Sequence, residues 1–340
     1  MRRKHRKRKQ KTVLIISILC IFGFLVTGYA AFSTNLTFKA KGNIKEKSRI
    51  IQSWSSTDTT DFHSGFYKEN IVSATFVDNA NVPSNAVENW NVSEDKKHGG
   101  VIAYVIPNNE DSTKYDLYIG AKDGVIANTN SSSLFEEFSG LKSINFNKNF
   151  DTSQTINMEK MFLNCVSLVN LDLSSFDTSN VISMYAMFCM WREPAGSLEN
   201  NLISINFGEN FNTSNVTNMR SMFAGLTKLQ SLDLSGFNTS KVTTMYHMFF
   251  YLENITTLDL SNFDTSSVTD MTQLFWGCKN LKELNLCSFD TRNALGMGEM
   301  FYGTYSLTKV LVGPNWITTQ ADTSNLFAYS NISSVTIGQC

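Results

Sequence analysis

Apolar and polar positions divide the chain into three stretches. Val13 to Ala31 is nineteen residues without a charge, which predicts a transmembrane or signal helix over 13–32. At the helical rise it spans roughly 28 Å, about the thickness of a bilayer hydrocarbon core. Residues 33–69 are polar and rich in Ser, Thr, Lys and Asp, which reads as a spacer. Between 70 and 133, the runs Ile71–Val77, Gly100–Ile106 and Tyr115–Ile119 lie among turn-forming Asp, Asn, Ser and Gly, a pattern of strands that predicts a β-rich N-terminal cap. From residue 134 onward the apolar positions recur with a fixed period.

Segments of the form L-x-x-L-x-L begin at Leu141, Leu168, Leu202, Leu229, Ile255, Leu281, Leu307 and Ile332, with spacings of 27, 34, 27, 26, 26, 26 and 25. The long step holds an eight-residue insertion around Trp191 to Gly196. The fourth and sixth positions of each segment face one way, as a one-sided strand requires. Behind each strand comes a second block, Phe176 to Phe188, repeated as 211–223, 237–249, 263–275 and 289–301 and ending in Met-x-x-Met-Phe or a close variant. Apolar groups at i, i+3 and i+4 predict a short helix there. Eleven of the thirteen methionines fall in these two columns and read as core filler, with no thiolate or histidine column to make them a metal ladder. The turn column Asp151, Asp177, Asn212, Asn238, Asp264 and Asp290 supplies short polar side chains that close turns on backbone donors.

Charge changes the picture at one end only. Arg2, Arg3, Lys4, Arg6, Lys7, Arg8, Lys9 and Lys11 abut the apolar helix with no acid among them, and by the positive-inside rule they set its topology, with 33–340 outside. Removing those eight from the 29 basic groups leaves 21 against 30 acidic ones, so 12–340 carries about −9. A mildly acidic body argues against a nucleic-acid binder. The apolar run is longer than a usual signal core, which favours a retained anchor, while Gly28-Tyr29-Ala30 offers small residues for cleavage after Ala30.

The unit Leu-Asp-Leu-Ser-x-Phe-Asp-Thr-Ser-x-Val-Thr-x-Met-x-x-Met-Phe over 141–340 resembles the 26-residue repeat of BspA-like leucine-rich repeat surface proteins of bacteria. The resemblance implies an α/β solenoid: a leucine-rich-repeat array with a parallel β-sheet on one face and short helices on the other. It also implies a cell-surface location and, in some members, adhesion to host, matrix or neighbouring-cell proteins. Phe176, Phe237, Phe263 and Phe289 depart from it by occupying the usual asparagine position. The organisation expected is a cytoplasmic basic segment at 1–12, the helix at 13–32, a spacer at 33–69, a cap at 70–133 and repeats at 134–340.

The sequence holds no phosphate loop, nucleophile elbow or metal-ligand spacing, so no enzyme and no cofactor are expected. Cys165 and Cys278 read as small core hydrophobes, His63 and His98 as isolated, and His247 as exposed. The outward fifth strand position gives Asn145, Asp172, Asn206, Asp233, Asp259 and Asn285, a candidate partner-binding face. Strands about 4.8 Å apart would bring Asp233 and Asp259 together as mutually repelling carboxylates, which a basic partner would relieve. The function expected is non-enzymatic protein binding or adhesion at the cell surface. The alternative is a structural surface or matrix protein that self-assembles through an uncapped C-terminal end.

Overall fold

The computed structural model describes residues 48–338 apart from Ser56, 193–195 and 198, and these lie in the second of two compact units, 46–340. The segments 1–12 and 13–32, with the eight topology-setting basic residues, fall outside the described residues. Among the described residues no helix is long and apolar enough to cross a membrane.

The cap forms around four strands, β1 (Ile71–Val77), β2 (Glu88–Asn91), β3 (Ile102–Pro107) and β4 (Tyr115–Gly120). A short strand β5 (Val125–Ile126) follows, and β6 (Ser143–Asn145) is the first repeat strand. The five-stranded sheet runs β2-β3-β4-β1-β6: β1 is parallel to β4 and β6, while β3 is antiparallel to β2 and β4. The cap and the first repeat therefore share one sheet. Part of the segment read as a spacer is folded into the same core, where Ile51, Trp54, Phe62 and Tyr67 are buried. Four apolar side chains among polar neighbours gave no periodic signal. The helix α1 (Gly65–Asn70) leads directly into β1.

The remaining strands are short: β7 (Phe150–Asp151), β8 (Asn170–Asp172), β9 (Trp191–Arg192), β10 (Gly196–Ser197), β11 (Ser204–Asn206), β12 (Glu283–Leu286), β13 (Lys309–Val312) and β14 (Thr336–Ile337). β8 pairs in parallel with β11, β12 with β13 and β13 with β14, at the repeat register. The segments 231–233 and 257–259 form no assigned strand, so no continuous sheet runs along the repeats.

The expected α/β solenoid, with helices behind a leucine-rich-repeat sheet, is overturned. Among the described residues the one α-helix is α1, in the cap, and the fold is a turn-rich assembly of small strands in parallel and mixed sheets. The Met-x-x-Met-Phe blocks are consecutive turns. Met271, Gln273, Phe275 and Gly277 each donate a backbone N–H to the next repeat, at Gly296, Gly298, Met300 and Tyr302, over 2.8–2.9 Å. The residues between them donate locally instead, Leu274 to Met271 and Trp276 to Gln273. Alternation requires left-handed backbone at fixed columns, seen at Lys160, Ala186, Ser221, His247, Gln273 and Glu299 with φ of 52–59°. None of these is β-branched, as that conformation demands.

Spacing is the physical reason. Phe135, Phe162, Phe188, Phe223, Phe249, Phe275, Phe301 and Phe327 form one continuous stack, with neighbouring centroids 5.4–6.1 Å apart and planes within 10°. Packed helices need about 8–10 Å between axes. Repeats whose rings stack 5.4–6.1 Å apart on this side leave no room for helices, although the i, i+3, i+4 apolar spacing suits one.

Threonine joins the repeats along another line. Thr239 Oγ1 donates to the Asp264 carbonyl at 2.8 Å and accepts the Asp264 N–H at 2.9 Å, and Thr152, Thr213 and Thr265 do the same in their own repeats. Thr239 and Thr265 are buried, and each satisfies two backbone groups that stacking would otherwise strand.

Candidate functional surfaces

All six residues of the expected binding face are exposed. Each except Asn206 closes a turn by accepting the backbone N–H two residues on: Asn145 from Asn147, Asp172 from Ser174, Asp233 from Ser235, Asp259 from Ser261 and Asn285 from Cys287. Asn206 instead donates its amide to Asp172 at 2.9 Å. Hydrogen bonds from the Ser235 and Ser261 backbone and hydroxyls hold the Asp233 and Asp259 carboxyls below the usual carboxylate range. Neither carboxyl figures among the causes of the other's shift, so the expected mutual repulsion does not show in their protonation. The segments 231–233 and 257–259 are not paired as adjacent strands. Asn206 and Asp233 instead share the rim of a pocket floored by Phe207, Phe211 and Phe237.

A second, smaller apolar cluster lies on the turn side, built on the position after each stacked phenylalanine, where Cys189, Ala224 and Phe250 are buried and Trp276 and Tyr302 half-buried. There Phe250, Trp276 and Tyr302 follow one another in successive repeats, and Tyr329, one place past the equivalent Ala328, packs on Tyr302, with centroids 4.8–5.0 Å apart. Tyr251 and Trp191 extend the column, their rings 5.2 Å apart. Gly277 has φ of +72°, and the Tyr251 ring lies 3.3 Å from where its Cβ would stand. Any side chain there would push the ring out. Tyr305 and Tyr329 are 58 % and 69 % exposed. Lys279 pairs with Glu253 at 2.6 Å and sits 5.7 Å over the Tyr251 ring. Farther along, Arg220 lies 4.3 Å over Tyr246 and 5.9 Å from Tyr185. Sequence reasoning missed this cluster. The signal was available once the repeats were aligned, in a column that reads Leu163, Cys189, Ala224, Phe250, Trp276, Tyr302.

His247 belongs to this outer cluster and is buried, contrary to its reading as exposed. Its ring lies between Tyr246 at 3.8 Å and Phe250 at 4.2 Å, and its Nε2–H donates to Gln273. Burial lowers its pKa to about 4, against the smaller raising effect of the Gln273 bond. The folded protein therefore holds the ring neutral, and unfolding takes up a proton below the ordinary value of 6.5. Stability is full above that pH and is lost progressively as pH falls toward 4. After allowance for solvent screening we expect up to about 2 kcal/mol from this residue. Urea titrations between pH 7 and 4 should show that loss, and His247→Gln should flatten it.

Cys165, Cys189 and Cys278 are free, buried thiols, each pushed up to about 12 by burial, while Cys287 is disulfide-bonded. Cys165 and Cys278 thus behave as the small core hydrophobes expected. Among the described residues, no three His, Cys, Asp or Glu side chains converge as a metal site. His63 is not isolated: it is buried, bonded to Asp61 at 2.8 Å and to the Leu134 carbonyl at 2.9 Å.

A family model described as "Mycoplasma protein of unknown function, DUF285" matches residues 129–207 and 195–316, overlapping segments that together cover more than half of the chain. No curated protein and no solved structure matches it.

Proposed function

We propose that this chain, which belongs to the DUF285 family, is a bacterial cell-surface protein that binds partner proteins without catalysing a reaction. The observation that carries this reading is the accessible end of the aromatic column, where half-buried Trp276 and Tyr302 lead to exposed Tyr329, with exposed Tyr305 in the same repeat as Tyr302. Tyrosine and tryptophan on a rigid frame present large contact area with little side-chain entropy to lose, and they dominate interface hot spots. Here the frame is a backbone bonded from repeat to repeat. The resemblance of the repeat unit to BspA-like surface proteins supports the same function. The basic run at 2–11 and the apolar segment 13–32 support a cell-surface location with 33–340 outside, whether anchored or released by cleavage near Ala30. The partners would be host, matrix or neighbouring-cell surface proteins.

An array of purified matrix proteins, bacterial surface proteins and glycans tests this. Saturable binding to a protein, weakened about tenfold by Tyr305→Ser with Tyr329→Ser, is the expected result. If Asp233→Ala with Asp259→Ala weakens it instead, the strand-side stripe is the face. A blank array counts against adhesion.

One feature favours a second reading, structural self-assembly. The outer edge of β14 has no strand partner among the described residues, and Ile337 is 76 % exposed. Unpaired edges template pairing with a second chain. Concentration-dependent oligomers in sedimentation, abolished by Ile337→Lys, would favour it.

A further inference from the structure

A pocket of about 330 Å³ lies between α1 and the early repeats, lined in part by Lys68, Glu69, Glu137, Ser139, Asn164 and Glu199. Lys68 is 8 % exposed, yet its ammonium forms no ion pair among the described residues. Asn164 is 6 % exposed, and its Oδ1 is enclosed without a hydrogen-bond partner. Buried charges and amides are normally paired, because an unpaired one forfeits its hydration with nothing in return. Asn164 Oδ1 is such a group, and beside it Lys68, buried along most of its length, lines the same pocket without an ion pair; together they point to a ligand that completes them.

The wall is also held in place. Gly140 donates its N–H to the Lys68 carbonyl at 3.0 Å, tying α1 to the repeats, and Asn164 donates its N–H to Cys189 in the next repeat at 2.8 Å. Charge selects the class of ligand. One ammonium stands among three carboxylates, so a plain anion is repelled by the glutamates and a plain amine leaves Lys68 unmatched.

We propose that this pocket binds a small zwitterion of the amino-acid class, with its carboxylate on the Lys68 ammonium and its ammonium on Asn164 Oδ1 and the glutamate rim. The volume falls at the small end of ligand sites, which run from about 300 Å³. The site is independent of the aromatic column and of the adhesion reading.

Calorimetry and thermal melts of the full chain, with each common free amino acid, provide the test. Propionate, ethylamine and inorganic phosphate serve as single-charge probes. The expected result is saturable binding and a raised melting temperature with at least one amino acid and with none of the three probes. Lys68→Met should weaken that binding at least about tenfold while melting no lower than wild type without ligand. A lysine that only supports the fold would lower the melting temperature. Should Lys68→Met fail to fold, Glu199→Gln decides, since Glu199 is exposed and its change should weaken binding without altering the unliganded melt. No binding by any zwitterion overturns the proposal. So does equal binding of propionate or phosphate, or unchanged affinity in the variants that fold.

Discussion

Replacing Phe249 with alanine is expected to lower the unfolding free energy by about 3–5 kcal/mol. Its side chain is fully buried and stacks on Phe223 at 6.1 Å and on Phe275 at 5.6 Å, with Phe263 tilted against it at 6.4 Å. Truncation removes the transfer energy of a whole ring and leaves a cavity between two rings that cannot close on it. Both neighbours are fixed by backbone bonds to the following repeat, from Phe223 to Met248 and from Phe275 to Met300. Leucine at the same position should cost less, about 1–2 kcal/mol, because most of the volume stays. Urea titration followed by tryptophan fluorescence measures both. A loss below about 1 kcal/mol for the alanine variant would mean that the stack is not a principal source of stability.

The second large effect is expected in the cap, where Asp61→Ala should cost about 3–5 kcal/mol, as breaking a buried charged pair does. One carboxylate serves four donors. Asp61 Oδ1 bonds the His63 ring at 2.8 Å and its backbone N–H at 2.9 Å, while Oδ2 accepts the Trp54 indole at 2.9 Å and the Gln52 amide at 3.0 Å. His63 carries the network to the Leu134 carbonyl, so the change loosens the junction between cap and repeats. Burial alone would raise the Asp61 carboxyl, but the His63 bonds and charge, with the Trp54 indole, together outweigh it and hold it below its ordinary 3.8. Its stabilising contribution is therefore complete above that pH and lost as pH falls through the lower folded value. Melts of wild type and Asp61→Ala should differ most near neutrality and converge in strong acid. Equal melting temperatures at pH 7 would show that the network is incidental.

These effects arise on columns of different legibility. The register of Phe249 among the phenylalanines could be read from the 26-residue spacing, since a residue type that recurs at one position marks an inward column whatever the backbone does there. The same alignment marked the methionine columns and the outward stripe of Asn145, Asp172, Asn206, Asp233, Asp259 and Asn285. Asp61 and His63 belong to no repeat and could not be ranked by pattern. Of their partners, Trp54 is seven residues from Asp61 with no periodicity to mark it, and Leu134 is 71 residues from His63.

The sequence by itself determined the period, the columns that face inward and the exposure of the strand-side stripe, because these follow from residue type at a fixed spacing. It did not determine the state of the backbone. Met-x-x-Met-Phe fits a helix as well as it fits turns, and local spacing cannot separate the two. The tertiary structure decides, because phenyl rings stacked 5.4–6.1 Å apart exclude helices and impose left-handed turns whose alternate N–H groups reach the next repeat. It also decides where surfaces form. Phe250, Trp276 and Tyr302 are 26 residues apart along the chain and become one aromatic column only when the repeats stack. Lys68, Asn164 and Glu199 come from three separate segments, and the pocket they line exists only because the cap packs on the early repeats.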